Sequence, residues 1–178
     1  MKNFSKLLLV ISLGFGLIGS TMAATAPTLG IAAGYAVYSD AGITNTVWTT
    51  HIRWNVGDNG FGHPGLIAWQ VDGTLGITAG AWVAAAVLIA YGQLAAQPGA
   101  VPLVLAGNNA VGPGVYDIGA GTLNGTLTLS GAGVYVFRST SSITVTPGVG
   151  AKVLLTNGAD ACNVFWQIPT SMTIWAGA

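Results

Sequence analysis

From Val101 onward the chain alternates apolar and polar residues with period two, in short runs broken by Gly, Pro, Asn and Ser. That period belongs to strands that bury one face and expose the other. Leu127 with Leu129, Val134 with Val136, and Ile143 with Val145 supply the inward positions of three successive strands. Val153 with Leu155, then Val164, Trp166 and Ile168, then Met172 with Ile174 repeat the set. Three strands per round, with roughly 30 residues between equivalent positions, describe a triangular β-solenoid. The fold class is therefore mainly β.

The opposite parity gives the outer faces. One shows Thr126 and Thr128, then Lys152, Leu154 and Thr156; the second shows Tyr135 and Phe137, then Phe165 and Gln167. The third shows Thr144 and Thr146, then Ser171, Thr173 and Trp175. The second face is too aromatic to be left in water and is assigned to the underside of a helix. The only helix candidate is Thr78–Gln97, with Thr78 as N-cap, the Ala-rich run Ala81–Ala90 and the stop signal Pro98-Gly99. Being apolar nearly all round, it must be deeply buried or covered. A transmembrane span is the rival reading, weakened by Gly80, Gly92 and Gln93; packing against the solenoid wall is preferred. Upstream, Ala26–Tyr38 and Ile43–Asn55 read as strand regions, the second interleaving Thr44 and Thr46 with Ile43, Asn45 and Val47.

Charge changes the picture by its scarcity. Only 6% of the 178 residues are charged, and all five acids are aspartates. Such a chain offers no electrostatic footprint for nucleic acid or an anionic membrane surface. Lys2 and Lys6 followed by apolar Leu7–Ile18 and small Ser20–Ala24 read as a secretory signal peptide over residues 1–24, cleaved after Ala23 or Ala24. The mature chain, 25–178, then keeps three bases against five acids, a net charge of −2. It is expected to be secreted, periplasmic or cell-surface, with no membrane contact after signal removal. Cys162 is the only cysteine, so no internal disulfide is possible, and its place beside a strand reads as a buried small hydrophobe.

Catalytic chemistry is poorly supplied. Asp40, Asp58, Asp72, Asp117 and Asp160 are scattered, and no pair is forced together. Neither histidine falls in a Ser-His-Asp or Cys-His pattern. His51, Asp58 and His63 match no metal-site spacing and read as ordinary residues of a floppy, glycine-rich loop. No catalytic residue, metal or cofactor is expected. What the chain does offer is threonine: on a strand its β-branched side chain is rotamer-limited, so methyl and hydroxyl are held at little entropic cost.

The wording Asn157–Ile168, with Gly112-Pro113-Gly114-Val115-Tyr116 and Leu123–Leu129, closely resembles the bacterial and fungal ice-binding (antifreeze) family. The resemblance runs from about Leu29 to Ala178. It implies a right-handed β-helix with one long helix alongside, and a flat Thr-rich face that adsorbs to ice and limits its growth or recrystallisation. Carried onto this chain it favours Thr144, Thr146 and Thr173 as ice-contact residues, with Thr44, Thr46, Thr126 and Thr128 next. The alternative is a non-enzymatic adhesin or structural solenoid module. The segment Asp58–Pro64 departs from the family's usual wording, and the family normally continues for several strands past Trp175-Ala176-Gly177-Ala178. On that resemblance C-terminal coils are missing, and the chain is either a fragment or a natural truncation with an open solenoid end through which copies could associate.

Overall fold

The computed structural model describes residues 23–39, 43–45, 51–58, 60, 62–77, 80–146 and 150–174, without the side chains of Ile77 and Ile174. The expected signal peptide (apart from Ala23 and Ala24), Thr46, the Thr78 cap and Trp175 lie outside the described residues. The chain enters through a 3-10 turn, Gly30–Gly34, into β1 (Tyr35–Tyr38), β2 (Asn55–Gly57) and β3 (Leu75–Ile77), which pair in parallel. Helix α1 (Ala81–Ala95) and β4 (Val101–Pro102) lead to three stacked coils. The first is β5 (Asn109–Val111), β6 (Gly114–Asp117) and β7 (Gly121–Leu123). The second is β8 (Thr126–Ser130), β9 (Tyr135–Arg138) and β10 (Ile143–Val145); the third is β11 (Lys152–Thr156), β12 (Val164–Gln167) and β13 (Met172–Ile174).

From β5 to β10 each strand pairs in parallel with the strand three further along, and β4 pairs with β6, giving the sheets β11-β8-β5, β12-β9-β6-β4 and β13-β10-β7. This is a right-handed β-helix of triangular section with one helix alongside. Its coils are unequal. Gly121 and Ile143, which are paired, lie 22 residues apart, whereas Ile143 and Met172 lie 29 apart. The longer coil carries an extra corner: Asn157 at φ 51, Gly158 at φ 84, then the 3-10 turn Ala161–Asn163. Asn and Gly take that left-handed backbone most readily, which is why the Asn-Gly pair marks the corner.

The interior is filled by Leu105, Ile118, Leu123, Leu127, Leu129, Tyr135, Phe137, Ile143, Val145 and Ala151. Tyr116, Phe137 and Trp166 stack through successive coils, with ring centroids 5.4 and 4.5 Å apart. Tyr135 and Phe137 thus point inward, opposite to the sequence expectation, and Val136 points out under the helix with Val115 and Leu94. Both faces of this sheet are buried, so alternation of polarity carries no signal in β9, and a one-residue slip exchanges the faces unnoticed.

Helix α1 buries one stripe, Val83, Ala90 and Leu94. Val83 packs on Ala32 with Tyr35 and Tyr38 around it, and Leu94 packs on Val115 and Val136. The helix therefore ties the first strands to the solenoid wall. The N-terminal arm is laced along it: Thr28 N–H donates to Gln93 Oε1 at 2.6 Å and Thr25 N–H to Gln97 Oε1 at 2.9 Å. At its C-terminal end, Arg138 donates to the carbonyls of Ala95 and Gln97, each at 2.8 Å, and to Asp117 Oδ1 at 2.8 Å. A cation placed there satisfies the helix's last carbonyls and its negative dipole end.

Several expectations are corrected. The helix is not deeply buried within the chain; Trp82 is 81% exposed, and Leu88 and Ile89 are exposed as well. It begins at Ala81 after Gly80, with no side-chain cap bond. Among the described residues no helix is long and apolar enough to cross a membrane. Within Ala26–Tyr38 only Tyr35–Tyr38 is strand, because Gly30–Gly34 turns and leaves Leu29 and Ile31 exposed. Cys162 is exposed rather than buried: it sits in the corner turn Ala161–Asn163, its N–H held at 2.9 Å by Asp160.

Removing the central ring of the stack should cost more than releasing the helix end. Phe137→Ala is expected to lower unfolding free energy by about 3–5 kcal/mol, and Arg138→Met by about 2 kcal/mol. Urea unfolding followed by circular dichroism would check both the ranking and the sizes.

Candidate functional site

The sheet β13-β10-β7 carries the outward threonines. Thr144 is paired with Thr122 on one side and Thr173 on the other, so the three form one row across the strands. The ladder extends a residue beyond the strands: Ile143 N–H donates to Ser171 O at 3.0 Å and Thr146 N–H to Leu123 O at 3.0 Å. Ser142 and Ser171, two residues before Thr144 and Thr173, and Thr146, two after Thr144, therefore share the outward parity. Neighbouring strands repeat at about 4.8 Å, and alternate residues along a strand at about 6.7 Å. Small hydroxyl side chains thus stand on a two-dimensional grid without a charged residue among them. Beneath them Leu123, Ile143 and Val145 are buried in the core, which fixes which side of the strands the threonines take.

Thr126 and Thr128 lie on another sheet. Thr126 is paired with Lys152, and Thr128 lies between Ala110 and Leu154, so no Thr–Thr row forms there. Thr44 is exposed in the N-terminal region, where Ile43 and Asn45 bond to the carbonyls of Gly62 and Pro64 at 3.0 and 2.9 Å. The structure puts Thr144, Thr146 and Thr173 on one face, Thr126 and Thr128 on another sheet, and Thr44 outside any strand.

The titratable residues form pairs, not a cluster. His63 Nδ1 lies 2.5 Å from Asp58 Oδ2, and His51 Nε2 lies 2.7 Å from Asp72 Oδ1. Among the described residues no three His, Cys, Asp or Glu side chains converge. In the described part of the loop expected to be floppy, Asp58 contacts both His63 and Gly60. Asp58 is 3% exposed and also accepts from Gly60 N–H at 2.9 Å. The hydrogen bond from His63, then that from Gly60, hold the Asp58 carboxyl below its ordinary pKa, against the opposing effect of burial.

The sequence profile of the family described as Ice-binding-like matches residues 37–178. The chain belongs to that family. Among solved structures it is similar to an ice-binding protein of an Antarctic Flavobacteriaceae bacterium, at 30% identity and a TM-score of 0.74, covering 89% of this chain and 40% of that one. An ice-binding protein from an Antarctic biological consortium is 26% identical, with a TM-score of 0.70, over 86% of this chain and 73% of that one. The ice-binding protein 1 domain of Shewanella frigidimarina is 25% identical, with a TM-score of 0.66, over 86% and 81%. Among curated proteins no sequence relative is found. This member of the ice-binding-like family thus spans 40% of the length of the Flavobacteriaceae protein.

In this family member one residue of the threonine row escaped the sequence reading. Thr122 sits in the three-residue strand β7, and the strand's other residues, Gly121 and Leu123, give too short an alternation to announce a face. Its signal is positional: it precedes the corner Asn124-Gly125 as Thr144 precedes the end of β10.

The Asp58–His63 pair makes an acid-dependent contribution. The folded-state pKa of Asp58 lies below the ordinary value of about 3.9, so the folded chain binds fewer protons there than the unfolded chain in that window. The contribution is present above that value and is lost as pH falls through the folded pKa. Hydrogen exchange around Val56–Asp58 should quicken in the wild type as pH drops below about 4, after correction for intrinsic rates. In Asp58→Asn the acid dependence should flatten; a parallel acid limb in both proteins would contradict this role.

Proposed function

We propose that the mature chain is a secreted or cell-surface protein that adsorbs to ice through the sheet β13-β10-β7 and inhibits ice growth or recrystallisation. The observation that carries the reading is the in-register row Thr122–Thr144–Thr173, flanked by Thr146, Ser142 and Ser171. Threonine's two γ groups do different work at such a surface. The methyls leave water between them poorly hydrogen-bonded to protein and free to bond to its own kind. The hydroxyls tie the edge of that ordered layer to the sheet. Each contact is weak, so adsorption needs many at once on a rigid, flat grid, and the in-register ladder of β7, β10 and β13 holds the threonines in place. A charged side chain within the row would impose its own hydration geometry.

Membership of the ice-binding-like family supports the same reading, as does the ice-binding description of the Flavobacteriaceae protein. The N-terminal pattern of Lys2, Lys6 and apolar Leu7–Ile18 supports export. The proposed partner is the ice crystal surface, and the reading needs no catalytic group, metal or cofactor.

Thr144→Tyr puts a ring in the middle of the row without touching the core. Freezing-point depression should fall about tenfold in this variant, equivalent to about 1.4 kcal/mol of adsorption, while circular dichroism stays unchanged. Thr128→Tyr, on the sheet where Ala110 and Leu154 flank the threonine, should leave activity intact. Full activity in Thr144→Tyr with loss in Thr128→Tyr would overturn the choice of face. A folded wild type that leaves ice crystals round would favour an adhesin or structural solenoid instead.

A further inference from the structure

A groove with different chemistry lies in the N-terminal coil. It has a volume of about 360 Å³ and is lined by Arg53, Trp54, Asn55, Asp72 and Gly73. Two neighbouring passes of the chain form it, held side by side by the parallel bridge between Ile52 and Val71. That bridge sets Arg53 and Trp54 alongside Asp72 and Gly73. Gly73 carries no side chain for a reason of space: a Cβ there would run into the backbone of Trp54 and Asn55.

The walls are fixed and mixed in character. Asn55 donates to Gly34 O at 2.8 Å and accepts from Thr74 N–H at 2.8 Å, so its side chain is held. Asp72 is oriented by His51, 2.7 Å from its Oδ1. Trp54 is 58% exposed, although an indole is among the largest apolar surfaces a chain can bury. An exposed aromatic side chain in one groove with a guanidinium and an oriented carboxylate suits a ring with one apolar face and hydroxyls at its rim. The opposite charges of Arg53 and Asp72 give no net pull on a polyanion, and the polar rim disfavours a lipid chain. The volume lies in the range of small-ligand sites.

We infer that this groove binds a neutral hexose unit of a polysaccharide, stacked on Trp54 and hydrogen-bonded at its edge by Arg53 and Asp72. The site is separate from the threonine row and does not depend on ice adsorption. It would let the chain attach to a cell-surface or extracellular glycan while the threonine sheet stays free.

Isothermal titration of the purified chain with cellohexaose, laminarihexaose, maltohexaose and dextran sulfate tests this. At least one neutral hexasaccharide should bind saturably, with Kd on the order of 1 mM or tighter. Trp54→Ala should weaken it by about tenfold or more, and Arg53→Ala and Asp72→Asn should weaken it with the circular dichroism spectrum unchanged. The inference is overturned by no saturable heat with any neutral sugar at about ten times that concentration. Binding that survives both Trp54→Ala and Arg53→Ala, or a preference for dextran sulfate, would overturn it equally. Arg53→Ala keeps the test decisive if Trp54→Ala does not fold.

Discussion

From Asn109 onward the strands of adjacent coils pair with their equivalents, in parallel and without a shift of register, and those of the middle coil pair on both sides. Whatever residue stands at a position in one coil is therefore stacked on its equivalent in the next. The same rule places Phe137 between Tyr116 and Trp166, Arg138 beside Asp117, and Thr144 between Thr122 and Thr173. A chain with so few charges cannot organise a surface by ion pairs; it does so by repetition along a ladder.

Three sheets made by one ladder meet three different fates. The sheet β12-β9-β6-β4 is closed by helix α1, with Leu94 on Val115 and Val136 and Arg138 fastening the helix end. The sheet β11-β8-β5 carries Lys152 and Leu154 in its outward rows, which interrupt any uniform water-facing grid. The sheet β13-β10-β7 presents hydroxyls in register over the buried side chains of Leu123, Ile143 and Val145. The ice adsorption proposed for it rests on what the row lacks, a charge or a bulky group, as much as on its threonines. The groove at Trp54 lies in a coil outside these three sheets, so a second ligand there need not compete with the first.

Much of the architecture was legible in the sequence where one face of a strand is buried and the other is wet. Leu127 with Leu129 and Ile143 with Val145 were assigned inward by alternation, and they are buried. The reading failed where that contrast is missing. In β9 both faces are buried, so Tyr135 and Phe137 were given the wrong side. Cys162 and the segment Gly30–Gly34 were misjudged because corners and 3-10 turns obey backbone geometry, which apolar composition does not report. Thr122 was missed because a three-residue strand shows no period. The Asp58–His63 contact, within a glycine-rich stretch, depends on how the chain folds back on itself, and no spacing rule announces it.

The central claim is that this surface recognises solid water. The most direct measurement is partition of the purified mature chain into a slowly grown polycrystalline ice hemisphere, with its folded state verified in the liquid that remains. Enrichment of the folded chain in the ice relative to a non-binding protein of similar size is the predicted result. Exclusion of the folded chain into the liquid would contradict the account.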